Sequence, residues 1–176
     1  MKSLNLVESI DVFERRSEFD SLVYVARIVI DGRVFETFEH VEKESSLFEL
    51  FEIVENNVED VEEIEKYFDM IEEFIAKEID PKFAEFARAM YVDNGIEIIE
   101  DSGLFNSYHS FYVDSEIEEN EDGDIEEHRI FKYRLYHDGY EKDRTVYRGY
   151  EEFDIEYYSI KSIYDEYVKV AGDIDE

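Results

Sequence analysis

The stretch Val58–Ile79, VEDVEEIEKYFDMIEEFIAKEI, constrains the fold more than any other. Val58, Val61, Ile64, Phe68, Ile71, Phe74 and Ile75, closed by Ile79, recur at spacings of three and four. That period predicts an α-helix with one apolar stripe. The other faces hold Glu59, Asp60, Glu62, Glu63, Glu65, Asp69, Glu72, Glu73 and Glu78, opposed only by Lys66 and Lys77. Helices gain from Glu-to-Lys pairs at i,i+4 and lose from like-charge pairs. This one forgoes most of that gain, so its surface points to a basic partner rather than to its own stability.

The elements around it read in order. Residues 1–18 are mixed, with a strand or short helix including Leu4–Phe13. SLVYVARIVI (Ser21–Ile30), Asp31-Gly32 and RVFETFEH form a β-hairpin pattern. Neither face of the second strand is cleanly apolar, which suits an edge. Ser45 or Ser46 is expected to cap a helix over 47–54, with Glu49 in capping-box position to Ser46. Asn56-Asn57 break that helix, and Asp80-Pro81 caps and opens PKFAEFARAMYV, which Asp93-Asn94-Gly95 ends. The remainder reads mainly as β: Ile96–Ile99, Leu104–Val113, then an acidic connection Asp114–Glu127 turning at Gly123. A strand from Ile125 or Arg129 to Tyr136 follows, with a turn at His137-Asp138-Gly139. Two strands over Glu141–Tyr150 and Glu152–Tyr158, bent near Gly149, precede a helix capped by Ser159 and ended at Gly172. The expected class is α+β: an N-terminal β-hairpin, a central three-helix acidic block, and a C-terminal antiparallel sheet with a terminal helix. Residues 1–176 are expected to form a single domain with a sub-boundary near 93–95.

Charge dominates the composition. The chain carries 49 acids against 18 Lys and Arg, a net of −31. Solubility needs a magnitude of only about 2–8. Fourteen Phe and fourteen Tyr supply core material that a disordered acidic chain would lack. Val34–Asp80 holds 17 acids and 3 bases, and Ala89–His128 holds 13 acids and no Lys or Arg. Such clustering suggests acidic surfaces rather than general acidification. Repulsion disfavours bare nucleic acid and anionic membranes as partners. The early acid Glu8 and the lack of a long apolar run predict a soluble, cytoplasmic protein without a signal peptide or membrane span.

Catalytic and metal motifs are absent from the pattern. There is no Cys, so no disulfide framework and no thiolate metal site. ENEDGD (119–124) resembles a calcium loop, yet with Gly123 in the EF-hand's sixth position the twelfth falls on Arg129 instead of an acid. His40, His109, His128 and His137 lack zinc spacing and read as surface or packing residues. No residue is assigned catalysis, and no cofactor or metal is expected. Eleven of the tyrosines follow residue 107. They read first as β core, and second as an interface suited to arginine.

This size, charge and aromatic content, without catalytic motifs, resembles the DNA-mimic inhibitors of phages and mobile elements, of anti-CRISPR or anti-restriction type. The resemblance is compositional and implies no shared fold. It implies a non-enzymatic inhibitor that evades host defence in the bacterial cytoplasm by occupying the basic nucleic-acid groove of a CRISPR effector or restriction enzyme. The alternative is an immunity-type or chaperone protein masking a single cationic partner, such as a toxin nuclease. A homo-oligomer is compatible with either. The expected contact residues are Glu59, Glu62, Glu63, Glu65, Asp69, Glu72 and Glu73 on the helix, and Glu116, Glu118, Glu119, Glu121, Asp122 and Asp124 in the acidic connection. At about 1.5 Å per residue the helical stretch gives about one net charge per 5 Å. One DNA strand carries one per ~3.4 Å. A mimic therefore needs a second acidic line, from Asp114–Glu127 or Glu36–Glu55.

Overall fold

The computed structural model describes residues 10–101, 105–141, 144–147 and 153–175. Contacts divide the chain into two compact units, Met1–Tyr91 and Val92–Glu176. Each is α+β, as the patterning implies.

In the first unit, β1 (Ile10–Arg16), β2 (Leu22–Ile30) and β3 (Arg33–Glu36) form an antiparallel sheet in sequence order. Residues 1–9, part of the expected Leu4–Phe13 element, lie outside the described residues. Asp31 and Gly32 both take positive φ, 50° and 79°. That is the two-residue turn whose twist matches a hairpin, and glycine enters it without steric cost. β3 is an edge strand, but it stops at Glu36 rather than running to His40. Thr37 explains the stop: its backbone N donates to Ala26 O, while its hydroxyl accepts from Ala26 N. A side chain thus replaces a ladder carbonyl, and pairing resumes only as a single Tyr24–His40 bridge.

Helix α1 spans Lys43–Asn57, starting earlier and ending later than expected, since it runs through Asn56-Asn57 and stops at Val58. The serine caps are corrected: Glu42 is the N-cap residue and makes no side-chain cap bond. Ser46 is buried, and its hydroxyl donates back to Lys43 O within the first turn. Glu49 is not a capping-box partner either. Its carboxylate accepts from Phe38 N at 3.2 Å and lies 2.6 Å from His40 Nε2, tying the end of the hairpin to the helix.

Helix α2 is Val61–Glu78, shorter than its apolar pattern. Asp60 is its N-cap, accepting from Glu62 N and Glu63 N at 2.9 and 3.3 Å. Val58 is buried ahead of the helix, whereas Val61 faces solvent at 72% exposure, so only Phe68, Ile71 and Ile75 are fully buried on the stripe. Helix α3, Pro81–Val92, is capped as expected by Asp80, which accepts from Lys82 N and Phe83 N. α1 packs on β2 and on α2. Tyr91 stacks on Phe51 at 5.5 Å and meets Phe48 and Phe68 edge-on.

In the second unit, β4 (Gly95–Asp101), β5 (Phe105–Glu119), β6 (Ile125–Glu141) and β7 (Arg144–Tyr147) pair antiparallel in that order, and β8 (Phe153–Tyr157) pairs with β6. The expected turn at 137–139 is corrected. β6 runs through it to Glu141, with a register shift between Gly139 and Tyr140 absorbing the irregularity. The expected bend near Gly149 lies outside the described residues. Helix α4, Ile160–Asp175, is capped by Ser159, whose hydroxyl accepts from Ser162 N. It passes through Gly172 instead of ending there, since that glycine lacks the left-handed φ of a helix stop. α4 covers one face of the sheet, where Tyr167 meets Phe111 edge-on and Ile160 and Ile163 are buried.

Candidate partner-binding surface

The helical half of the expected contact surface is largely answered from within. Arg88 on α3 reaches Asp69 at 2.5 Å, Glu65 at 2.8 Å and Glu72 at 3.4 Å. These acids share one side of α2, because spacings of four and three keep them aligned. Burial alone would lower the Arg88 pKa. The hydrogen bond from Arg88 to Asp69 and the charges of Asp69, Glu72 and Glu65 overcome it and raise the value. Glu73 meets Lys77 at 3.6 Å, and Glu78 meets Lys43 at 2.8 Å. Glu62 and Glu63 occupy the first turn, where the helix dipole favours them whatever else they do. Glu59 precedes the helix. With Lys66 and Lys77 in the helix, and Arg88 and Lys43 paired to its acids, the seven acids within α2 leave a net of −3. Over a length of about 27 Å that is about one charge per 9 Å, thinner than the pattern promised.

The acidic connection is corrected in the other direction. It is no loop: β5 continues to Glu119 and β6 begins at Ile125, in unbroken register from Asp114↔Ile130 to Glu119↔Ile125. β4 pairs with β5 only up to Tyr112, followed by one Val113 N to Asn94 O bond, and β8 pairs with β6 only from Phe131. Asp114–Glu119 and Ile125–Ile130 are thus paired only with each other among the described residues. They form a two-stranded arm extending past the sheet. Residues 114–119 and 121–127 are all exposed.

The arm is fixed at both ends. At its base Lys132 holds Asp114 at 3.2 Å. At its tip Asn120 organises the turn: its side-chain oxygen accepts from Asp122 N and Asp124 N at 3.0 and 2.9 Å, and its backbone N donates to Asp124 O. Gly123, at φ 84°, donates to Asn120 O. Sequence reasoning marked Gly123 but missed Asn120, whose signal was its position opening a five-residue acidic turn.

Glu116 and Glu118 project from the same face as Asp114, Glu119 from the other, and Glu121, Asp122 and Asp124 crown the turn. With Glu126 and Glu127, nine acids lie between Asp114 and Glu127. Six strand residues at ~3.4 Å span about 20 Å. Set against Arg129 within the arm and Lys132 at its base, the nine acids leave a net of −7, about one charge per 3 Å, close to the ~3.4 Å spacing of one DNA strand. The helix and the arm belong to different units.

The histidines whose side chains are described make local contacts. His109 is buried, 2.7 Å from the Tyr133 hydroxyl and 3.4 Å from Glu100. His137 Nδ1 lies 2.8 Å from the Ser107 hydroxyl. The His128 side chain lies outside the described residues. Among the described residues, no three acidic or histidine side chains are grouped to hold a metal ion, and no helix is long and apolar enough to cross a membrane. Comparisons with family models, with curated proteins and with solved structures find no match for this chain.

Proposed function

We propose that this chain is a non-catalytic acidic binding protein that enters the basic nucleic-acid groove of a nuclease, of the restriction or CRISPR-effector kind, and displaces the nucleic acid there. The β5–β6 arm is the inserting element. One observation carries the reading: a narrow ribbon, exposed over 114–119 and 121–127, bears net negative charge at a linear density close to that of one DNA strand. A groove built to neutralise phosphates with Lys and Arg would accept it for the same electrostatic reason. The α2 surface plays a lesser part, because Arg88, Lys43 and Lys77 already pair with five of its acids.

The test measures DNA cleavage by restriction endonucleases and CRISPR effector nucleases with the full chain added, then with excess catalytically inert duplex. Inhibition relieved by the duplex supports groove occupation. The variant Glu116→Gln, Glu118→Gln, Glu119→Gln, Glu121→Gln, Asp122→Asn, Asp124→Asn should lose inhibition while keeping its circular dichroism. Full inhibition by that variant refutes the arm. Tight binding to one cationic protein that duplex never relieves is the outcome an immunity-type or chaperone protein gives instead.

A further inference from the structure

The two faces of the arm are chemically unequal. Cross-strand register groups Asp114, Glu116, Glu118, Glu126 and Ile130 on one face, and Ser115, Ile117, Glu119, Ile125, Glu127 and Arg129 on the other. Ile117 sits opposite Glu127 and Ile125 opposite Glu119, so the two isoleucines are diagonal neighbours, within about 7–8 Å. They are 72% and 75% exposed. Strand propensity alone does not explain them, because threonine would hold the strand and remain soluble.

We infer that Ile117 and Ile125 form an apolar contact strip, and that the protein groove receiving the arm has an apolar floor between its cationic walls. This rests on the reading of the arm as the contact element. Charge complementarity identifies the occupant. Glu119 and Glu127 flank the isoleucines on their own face, with Arg129 one step nearer the base, so whatever covers the outer end of the strip must also meet carboxylates. A second copy would bring its own nine acids against the first, and an anionic membrane would repel both faces. A heterologous surface carrying Arg or Lys beside aliphatic or aromatic side chains meets the carboxylates and the isoleucines together. Such a contact goes beyond mimicry: a nucleic-acid backbone offers no aliphatic side chain, so the strip gives the protein a grip its competitor lacks.

The test uses the full chain and two short synthetic peptides of equal charge, one alternating Arg with Val and the other Arg with Ser. Affinity is measured by calorimetry at physiological salt, where screening trims the purely ionic part. The Arg–Val peptide should bind about tenfold more tightly or better, the scale of partly burying two isoleucines. The double variant Ile117→Thr, Ile125→Thr should erase that preference and leave Arg–Ser binding unchanged. The variant Ile117→Val, Ile125→Val should keep most of it. Both should melt like the parent. Equal affinity of the parent for the two peptides, or an unchanged preference in the threonine variant, overturns the inference. Failure of the underlying reading looks different: the variant with six arm acids neutralised would then bind both peptides as tightly as the parent.

Discussion

Two sets of acid-to-amide changes on and beside one helix should have unequal consequences for stability. The first is Glu65→Gln, Asp69→Asn, Glu72→Gln; the second is Glu59→Gln, Glu62→Gln, Glu73→Gln. Relief of like-charge repulsion, taken from the sequence alone, would make both harmless or stabilising. The structure separates them, because the first set removes every carboxylate bonded to Arg88, whose side chain is only 21% exposed. Fully exposed pairs are worth ~0.2–1 kcal/mol and hydrogen bonds to sheltered charges ~1.5–3 kcal/mol. The three acids are 56%, 69% and 35% exposed, which keeps each pair near the lower range. Screened in this way, the triplet should cost about 2 kcal/mol in all. In a unit of this size that lowers the melting temperature by about 10 °C. The second set should cost about 0.5 kcal/mol, mostly from Glu62 at the helix N-terminus. Urea unfolding at neutral pH, followed by far-ultraviolet circular dichroism, reads both. With Arg88→Met already in place, the first set should cost almost nothing more. Equal effects of the two sets, or no change on adding Arg88→Met, would falsify the assignment of Arg88 as the internal counter-charge of α2.

The remaining expectations concern the second unit. Tyr133 and Tyr157 are pushed up to about 12, both by burial first, then Tyr133 by Glu166 and Glu100 and Tyr157 by Glu166. The unfolded chain releases these protons nearer 10, so stability should fall as pH rises from there through about 12. Ultraviolet titration should show two late phenols that vanish in Tyr133→Phe, Tyr157→Phe; a single transition speaks against it. Gly95→Ala should cost about 1–3 kcal/mol in thermal unfolding, because its Cβ would lie 2.7 Å from Phe111 O, a backbone atom held by sheet pairing. Hydrogen exchange should be faster at 114–119 than at 106–112 and should slow with added salt, because two strands alone are marginal and like charges strain them. Uniform protection along β5 would contradict the isolation of the arm.

Local chemistry was readable wherever one residue decides the backbone. Asp31-Gly32, Asp80-Pro81 and Ser159 all stand where turn and cap rules put them. The arm was hidden because Glu and Asp are poor strand formers, so nine of them read as a connection. What extends the strands is register inherited from the apolar pairs Phe111–Tyr133 and Val113–Phe131, closed by the Asn120 turn. Arg88 was hidden for another reason: its partners stand 16 to 23 residues away, and no local period reports them. The surface of α2 thus looked barer in sequence than it is, and Asp114–Glu127 looked less ordered.

Open ribbon edges invite other chains to add to them, and the arm's outer backbone groups, along Asp114–Glu119 and Ile125–Ile130, have no strand beside them among the described residues. Two such arms meeting edge to edge would match hydrogen bonds well but set many carboxylates side by side. The acids therefore act as a guard against self-templating at neutral pH, whatever else they bind. At the sequence pI of about 4.2 the chain as a whole has no net charge to hold copies apart, while Ile117 and Ile125 stay exposed. Acidification should then turn the most soluble-looking segment of the chain into its nucleus for cross-β growth.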